Sequence, residues 1–317
     1  MVKFILNQYL KLLVIMIFVL WIIILLFRDF SPITMVDAYN YIYIAIGEKE
    51  NVAYNNIELS EPVFVYLLYL LGWLEEPFFI QACFLLIAYS LFFFSIKKVY
   101  SRNIPLKYIY FSMVCNSSLI VLSANLWRQF LAIIIMMTAF YFMKKNKYKG
   151  VITCLLSIFT HYSCIMYVVL YTLCTDNRKK FFALIAFILM LSFIIFNYFS
   201  FVSIGLIPEG YLYYLNQEDN AFIYRKIKLT LDVILIIYIS GLNRFSQTVL
   251  LSYAIFIFIP FASVFARLTH LTVAIYPFAL SSSKNKFTKR RLIAVWILII
   301  ENIYVGTSAN SFLSIFK

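Results

Sequence analysis

Residues 12–27 read LLVIMIFVLWIIILLF, sixteen positions with no charged side chain and no break in apolar character. A strand of a membrane barrel alternates lipid-facing and lumen-facing residues over about ten positions. A run that is apolar on every side crosses a bilayer only as a helix, because only a helix satisfies its own backbone hydrogen bonds there. The run extends back to Leu10, with only Lys3 and Lys11 before or within it, and Arg28 and Asp29 follow where a cleavage site would need small residues. The segment therefore reads as a retained helix and not as a signal peptide.

The rest of the 317-residue chain has the same character. It is 64% hydrophobic and 20% aromatic, with a mean hydropathy of +0.89, and its apolar residues come in long blocks. These observations predict an all-α, polytopic membrane helical bundle. No repeat, low-complexity tract or linker divides the chain, so residues 1–317 form one transmembrane domain. Cys83, Cys115, Cys154, Cys164 and Cys174 lie within or at the end of apolar segments without metal-ligand spacing, which fits core packing. The net charge of +13 gathers in short connectors. That pattern signals orientation in a membrane, and no nucleic-acid partner is expected.

Basic connectors stand at Lys97 to Arg102, Lys144 to Lys149, Arg178 to Lys180 and Lys284 to Arg291. The positive-inside rule places all four, with the N-terminus, in the cytoplasm. One crossing per apolar run then fails by parity in two places. Pro62 to Leu74, ending at Glu75-Glu76-Pro77, is too short for a core of about 30 Å at 1.5 Å per residue. It reads as re-entrant or interfacial. Val151 to Cys174 satisfies the parity only if it breaks near Thr160 and His161 and returns to the side it entered. About nine crossings follow, at 10–27, 77–96, 108–123, 126–143, 181–199, 229–243, 247–265, 268–282 and 292–308. External loops fall at 28–61 and 200–228, long enough for a lid or a substrate surface.

Charged groups at or inside apolar segments mark a site, since hydrocarbon tolerates them only around a protein interior or a watery cavity. On this topology Asp37 and Glu61 bound the first external loop, Arg128 opens a helix at the outer face, Arg267 sits in an external turn, and His161 is the deepest point of the broken segment. Each also has an ordinary reading. Glu61-Pro62 suits a helix start, and Arg128 with Trp127 and Gln129 suits a lipid anchor. His161 can be satisfied by neighbouring hydroxyls, and the cluster Arg225, Lys226 and Lys228 can pair with Glu209, Glu218 or Asp219. As functional groups, the arginines offer a donor fork matched to phosphate oxygens, and an imidazole can move a proton near neutral pH. The spacing of His270, one turn beyond Arg267, predicts that it faces the same cavity. No metal-ligand set and no glycine-rich phosphate loop is evident, so neither a bound cation nor a cofactor is expected.

Asp37 with Tyr39 and Tyr41, Glu61-Pro62, Trp127-Arg128-Gln129 with Leu131-Ala132, Thr160-His161-Tyr162-Ser163 and then Arg267 form a spaced pattern. It resembles the EpsG family of bacterial polysaccharide polymerases, similar in role to the Wzy-type O-antigen polymerases. The resemblance implies a GT-C-type glycosyltransferase of the bacterial cytoplasmic membrane, with its site toward the exterior. Donor and acceptor would be glycans on undecaprenyl pyrophosphate, held among membrane lipid, with a chain-length regulator as a possible partner. Arg128 and Arg267 would stabilise the leaving pyrophosphate, and Asp37, Glu61 or His161 would take the acceptor's proton. Tyr41, Gln129, Arg225, His270 and the sugar-stacking Tyr211 and Tyr214 would contact substrate. A lipid-linked oligosaccharide flippase is the main alternative. A membrane acyltransferase would need an acid beside its histidine, and the local sequence around His161 has none.

Overall fold

The computed structural model describes residues 2–27, 36–47, 61–202, 222–259 and 262–308. These fold entirely as helices. In chain order they are α1 (Val2–Phe27), α2 (Val36–Ala45), α3 (Pro62–Gly72), α4 (Pro77–Val99), α5 (Leu106–Val114), α6 (Ser117–Ala124), α7 (Trp127–Lys145), α8 (Lys147–Thr160), α9 (Cys164–Leu173), α10 (Arg178–Val202), α11 (Phe222–Ser240), α12 (Arg244–Phe256), α13 (Ala262–Ala274), α14 (Tyr276–Ser281) and α15 (Lys289–Ser308). Among the described residues two helices meet the length and hydropathy of a full span, Gln8–Phe27 and Pro77–Val99, and the bent pair α5 and α6 makes a third if taken as one.

Local chemistry sets where these helices start. Pro62 and Pro77 occupy the first helical position, where a missing N–H costs nothing. Asn116, Asn146 and Asn243 cap α6, α8 and α12, each side-chain oxygen accepting a backbone N–H three residues on at 3.0–3.1 Å. Asn177 does the same ahead of α10, from the Lys180 N–H at 3.2 Å. Each such cap contributes about 1 kcal/mol.

The connectors between helices meet on one face. The Ser101 N–H donates to the Ser281 carbonyl at 2.8 Å, the Lys284 N–H to the Ser240 carbonyl at 2.9 Å, and Lys284 Nζ to Asp176 at 2.8 Å. The Thr175 N–H donates to the Gln247 side chain at 3.1 Å. Lys144 borders the same cavity as Asp176 and Lys284. All four basic connectors are therefore on one side.

In this arrangement α8 leaves the connector face and α9 comes back to it. Helix α8 leaves the connector face antiparallel to α7, so close that a Cβ at Gly150 would stand 2.6 Å from the Met143 Cα. Fourteen residues later it stops at His161, whose backbone is extended (φ −161°, ψ 119°), and α9 returns the chain to Asp176. Helix α3 is a second short element, eleven residues or about 16 Å. It packs against α2 with no room to spare, since a Cβ on Gly72 would sit 1.9 Å from the Ala45 carbonyl oxygen.

Several expected boundaries are corrected. The 108–123 span is two helices bent by 59°, because Asn116 turns its side chain to the Leu119 N–H and begins a new helix there. The 268–282 span divides at Ile275, one residue before Tyr276-Pro277, where the proline lacks an N–H for the preceding turn. The 247–265 span ends at Phe256, and Arg267 lies within α13 and not in a turn. The first external loop contains α2, and Arg225, Lys226 and Lys228 belong to α11, while residues 203–221 lie outside the described part.

Candidate active site

Glu61 precedes α3 as its N-terminal cap residue, but its side chain does no capping. The carboxylate is fully buried and reaches sideways. Its Oε2 accepts a hydrogen bond from Arg128 Nη1 at 2.9 Å, and its Oε1 pairs with His161 Nδ1. Three elements supply this triad: the start of α3, the second residue of α7, and the break between α8 and α9. Helix α7, 19 residues or about 28 Å long, runs from Arg128 to the connector face. The triad is therefore at the far side of the bundle from the basic connectors.

The chemistry of the pair fixes the imidazole. An ionised carboxylate only accepts hydrogen bonds, so Nδ1 must carry the proton that lies between them. In the neutral imidazole Nε2 is then the lone-pair nitrogen, able to receive a proton from another group. Glu61 has both oxygens engaged and no exposure, an arrangement suited to an orienting group. The guanidinium neutralises it, at a site where Arg128 keeps 23% of its side chain accessible.

Aromatic groups wall the triad. The Tyr41 ring lies 6.0 Å from the Arg128 guanidinium carbon, edge-on to Phe64 at 5.0 Å. Trp127 stacks on Phe84 at 4.3 Å and is fully buried. The lipid-anchor reading of Trp127-Arg128-Gln129 is thereby overturned, since Gln129 is buried too and only Arg128 is partly accessible. Asp37, in the first turn of α2, interacts electrostatically with both Tyr41 and Arg128. Several buried polar atoms make no hydrogen bond: both amide atoms of Gln81, one turn before Phe84, the Trp127 indole N–H, Gln129 Oε1 and Ser163 Oγ. Buried polar groups are ordinarily paired. These unpaired atoms lie on α4, on α7 and at the break between α8 and α9.

The remaining expected residues are placed differently. Arg267 stands in α13 beside Leu268, whose carbonyl accepts from Tyr167 at 3.1 Å, six residues beyond His161; the Arg267 side chain lies outside the described part. His270 Nδ1 bonds to Ser118 Oγ at 3.0 Å, on α6. Arg225 is in the first turn of α11. Tyr211 and Tyr214 lie outside the described residues. The absence of an acid near His161 in local sequence also fails as an argument, because Glu61 supplies one from 100 residues away.

A second buried charge cluster went unforeseen. Lys228 Nζ donates to Asp232 Oδ2 at 2.6 Å and to Asn302 Oδ1 at 3.3 Å. Asp232 is fully buried, and Glu301 lies near enough to interact with it. The signal was present in LTLDVIL and IIENIY, where a single acid interrupts an apolar run.

No curated protein and no solved structure gives a significant match to this chain. The model of one family, a Wzy-like polymerase family, matches residues 10–314, nearly the whole length. With that match over nearly its whole length, the chain belongs to the EpsG family.

Proposed function

We propose that this member of a membrane polysaccharide polymerase family joins repeat units carried on undecaprenyl pyrophosphate into a surface polysaccharide, without a metal, at the outer face of the bacterial cytoplasmic membrane. The observation that carries the reading is the buried Glu61 carboxylate held between Arg128 and His161. In the reaction an acceptor sugar hydroxyl attacks the anomeric carbon of the donor. The new C–O bond forms as the bond from that carbon to the phosphate oxygen breaks. The acceptor's proton passes to His161 Nε2, and the electron pair leaves with the lipid pyrophosphate. Arg128, partly accessible above the carboxylate, stabilises the charge growing on that leaving group, with Arg267 as its proposed partner. Preorganised cations of this kind are commonly the largest contribution to catalysis.

Cleavage of the sugar-phosphate bond supplies the driving force, so no nucleotide is required. Nine crossings with two partial insertions, cytoplasmic basic connectors and an outward site belong to the same reading. The shared face of the four connectors supports it.

The test is chain extension from purified lipid-linked repeat units by the full-length protein in proteoliposomes. His161→Ala should abolish polymer ladders while leaving the protein inserted. In cells the same variant should leave a single exported repeat unit. Loss of the exported unit altogether would favour the flippase, and undiminished ladders would refute the role of His161.

A further inference from the structure

At the connector face, between the ends of α7, α9 and α12, lies a cavity of about 650 Å³ bordered by Lys144, Tyr171, Asp176, Asn243, Arg244 and Lys284. Sixteen residues of α7 separate Lys144 from Arg128, about 24 Å along the helix, so this cavity is distinct from the triad. Basic residues at a cytoplasmic face need no special explanation, since orientation alone places them there. Three features here go beyond that.

The first is charge. Lys144, Arg244 and Lys284 are close enough for Lys144 to be repelled by the other two, and one carboxylate, Asp176, opposes all three. A hydrogen bond from Lys284 and its charge hold the Asp176 carboxyl below the usual carboxylate range, so it stays ionised and leaves two positive charges in excess. The second is a helix end. Arg244 begins α12, a helix of 13 residues capped by the buried Asn243, so the positive end of its dipole adds to the cavity. The third is a buried polar wall. The Tyr171 hydroxyl, on a residue 1% exposed, lies beside Arg244. Its ring is fixed by stacking on Phe140 at 3.7 Å, with Arg244 held over it at 6.0 Å.

We infer that this cavity binds a phosphoryl group carrying about two negative charges, with Arg244 and Lys144 as its cationic contacts and the stacked Tyr171 ring fixing Arg244 in place. Guanidinium and ammonium groups in a recess provide the fork and point charge that phosphate oxygens take up. The volume is that of a small-ligand site. The phosphoryl group can come from an anionic lipid headgroup or from a soluble phosphate compound, and the experiment separates these sources.

The full-length protein is placed in nanodiscs of phosphatidylcholine. In one arm inorganic pyrophosphate is titrated by calorimetry. In the other, phosphatidylglycerol is mixed into the nanodisc and its retention measured by native mass spectrometry. Saturable binding is expected in at least one arm. It should weaken tenfold or more in Arg244→Gln and in the exposed-site variant Lys144→Gln, tighten several-fold in Asp176→Asn, and persist in Arg128→Gln. Lys286→Gln, outside the cavity, should change nothing. Binding in neither arm, binding lost in Arg128→Gln but kept in Arg244→Gln and Lys144→Gln, or equal losses in the cavity variants and Lys286→Gln would each overturn the inference.

Discussion

Glu61→Gln separates catalysis from stability more sharply than any other change at the triad. Glutamine keeps the shape of the side chain and offers one acceptor oxygen and one N–H₂ donor. The oxygen must face Arg128, because the amide nitrogen there would set donor against donor. The nitrogen is then turned to His161 and donates to Nδ1, which forces the imidazole proton onto Nε2. The nitrogen that should receive the acceptor's proton now carries one already. A wrong tautomer in an acid-histidine pair costs about 10⁴ in turnover in a serine protease, equivalent to about 5 kcal/mol of activation free energy.

The stability cost is much smaller. Breaking a buried ion pair outright costs about 3–5 kcal/mol. Arg128 keeps 23% of its side chain in contact with solvent and retains a neutral acceptor, so about 1–2 kcal/mol is expected. The assay pairs the initial rate of ladder formation in proteoliposomes with thermal unfolding in detergent. A rate fall of 10³ or more with a melting shift of only a few degrees is expected. Turnover within tenfold of the parent would refute the tautomer argument, and a protein that no longer folds would refute the estimate of stability.

Lys228→Met strands the fully buried Asp232 beside Glu301 and should destabilise the protein by about 3 kcal/mol in thermal unfolding; adding Asp232→Asn should recover most of that loss. Gly72→Ala drives a Cβ into the Ala45 carbonyl, so α2 and α3 must separate, and ladder formation should fall while membrane insertion persists. Asn243→Ala removes the cap of α12 and a 2.9 Å bond to the Ala279 carbonyl, with an expected cost of about 1–2 kcal/mol by denaturation midpoint.

The helical fold was legible from apolar runs too long and too uniform for strands. The shortness of Pro62 to Leu74 and the parity of the basic connectors pointed to two short elements, and the described helices Pro62–Gly72 and Lys147–Thr160 with Cys164–Leu173 are short. The break at Thr160-His161 falls where that argument put it. What local sequence does not contain is who meets whom. Glu61 and His161 are 100 residues apart, and no periodicity links them. Arg128 looked like a headgroup anchor because its neighbours are aromatic, and only packing reveals that Trp127 is buried against Phe84. The extra break at Asn116 depends on whether an asparagine faces its own backbone or the lipid, which tertiary context decides. Asp232 and Glu301 were readable as isolated acids in apolar runs, but their shared lysine was not.

Helix α7 and helix α8 form one continuous hairpin that carries both Arg128 and His161 at its open end, whereas Glu61 is delivered by a separate short element. During synthesis the acid therefore enters the translocation machinery 67 residues ahead of its arginine and 100 ahead of its histidine. Until those arrive, a lone carboxylate has no counter-ion and must stay at the water boundary. Burial of Glu61 therefore requires the hairpin that carries both of its partners.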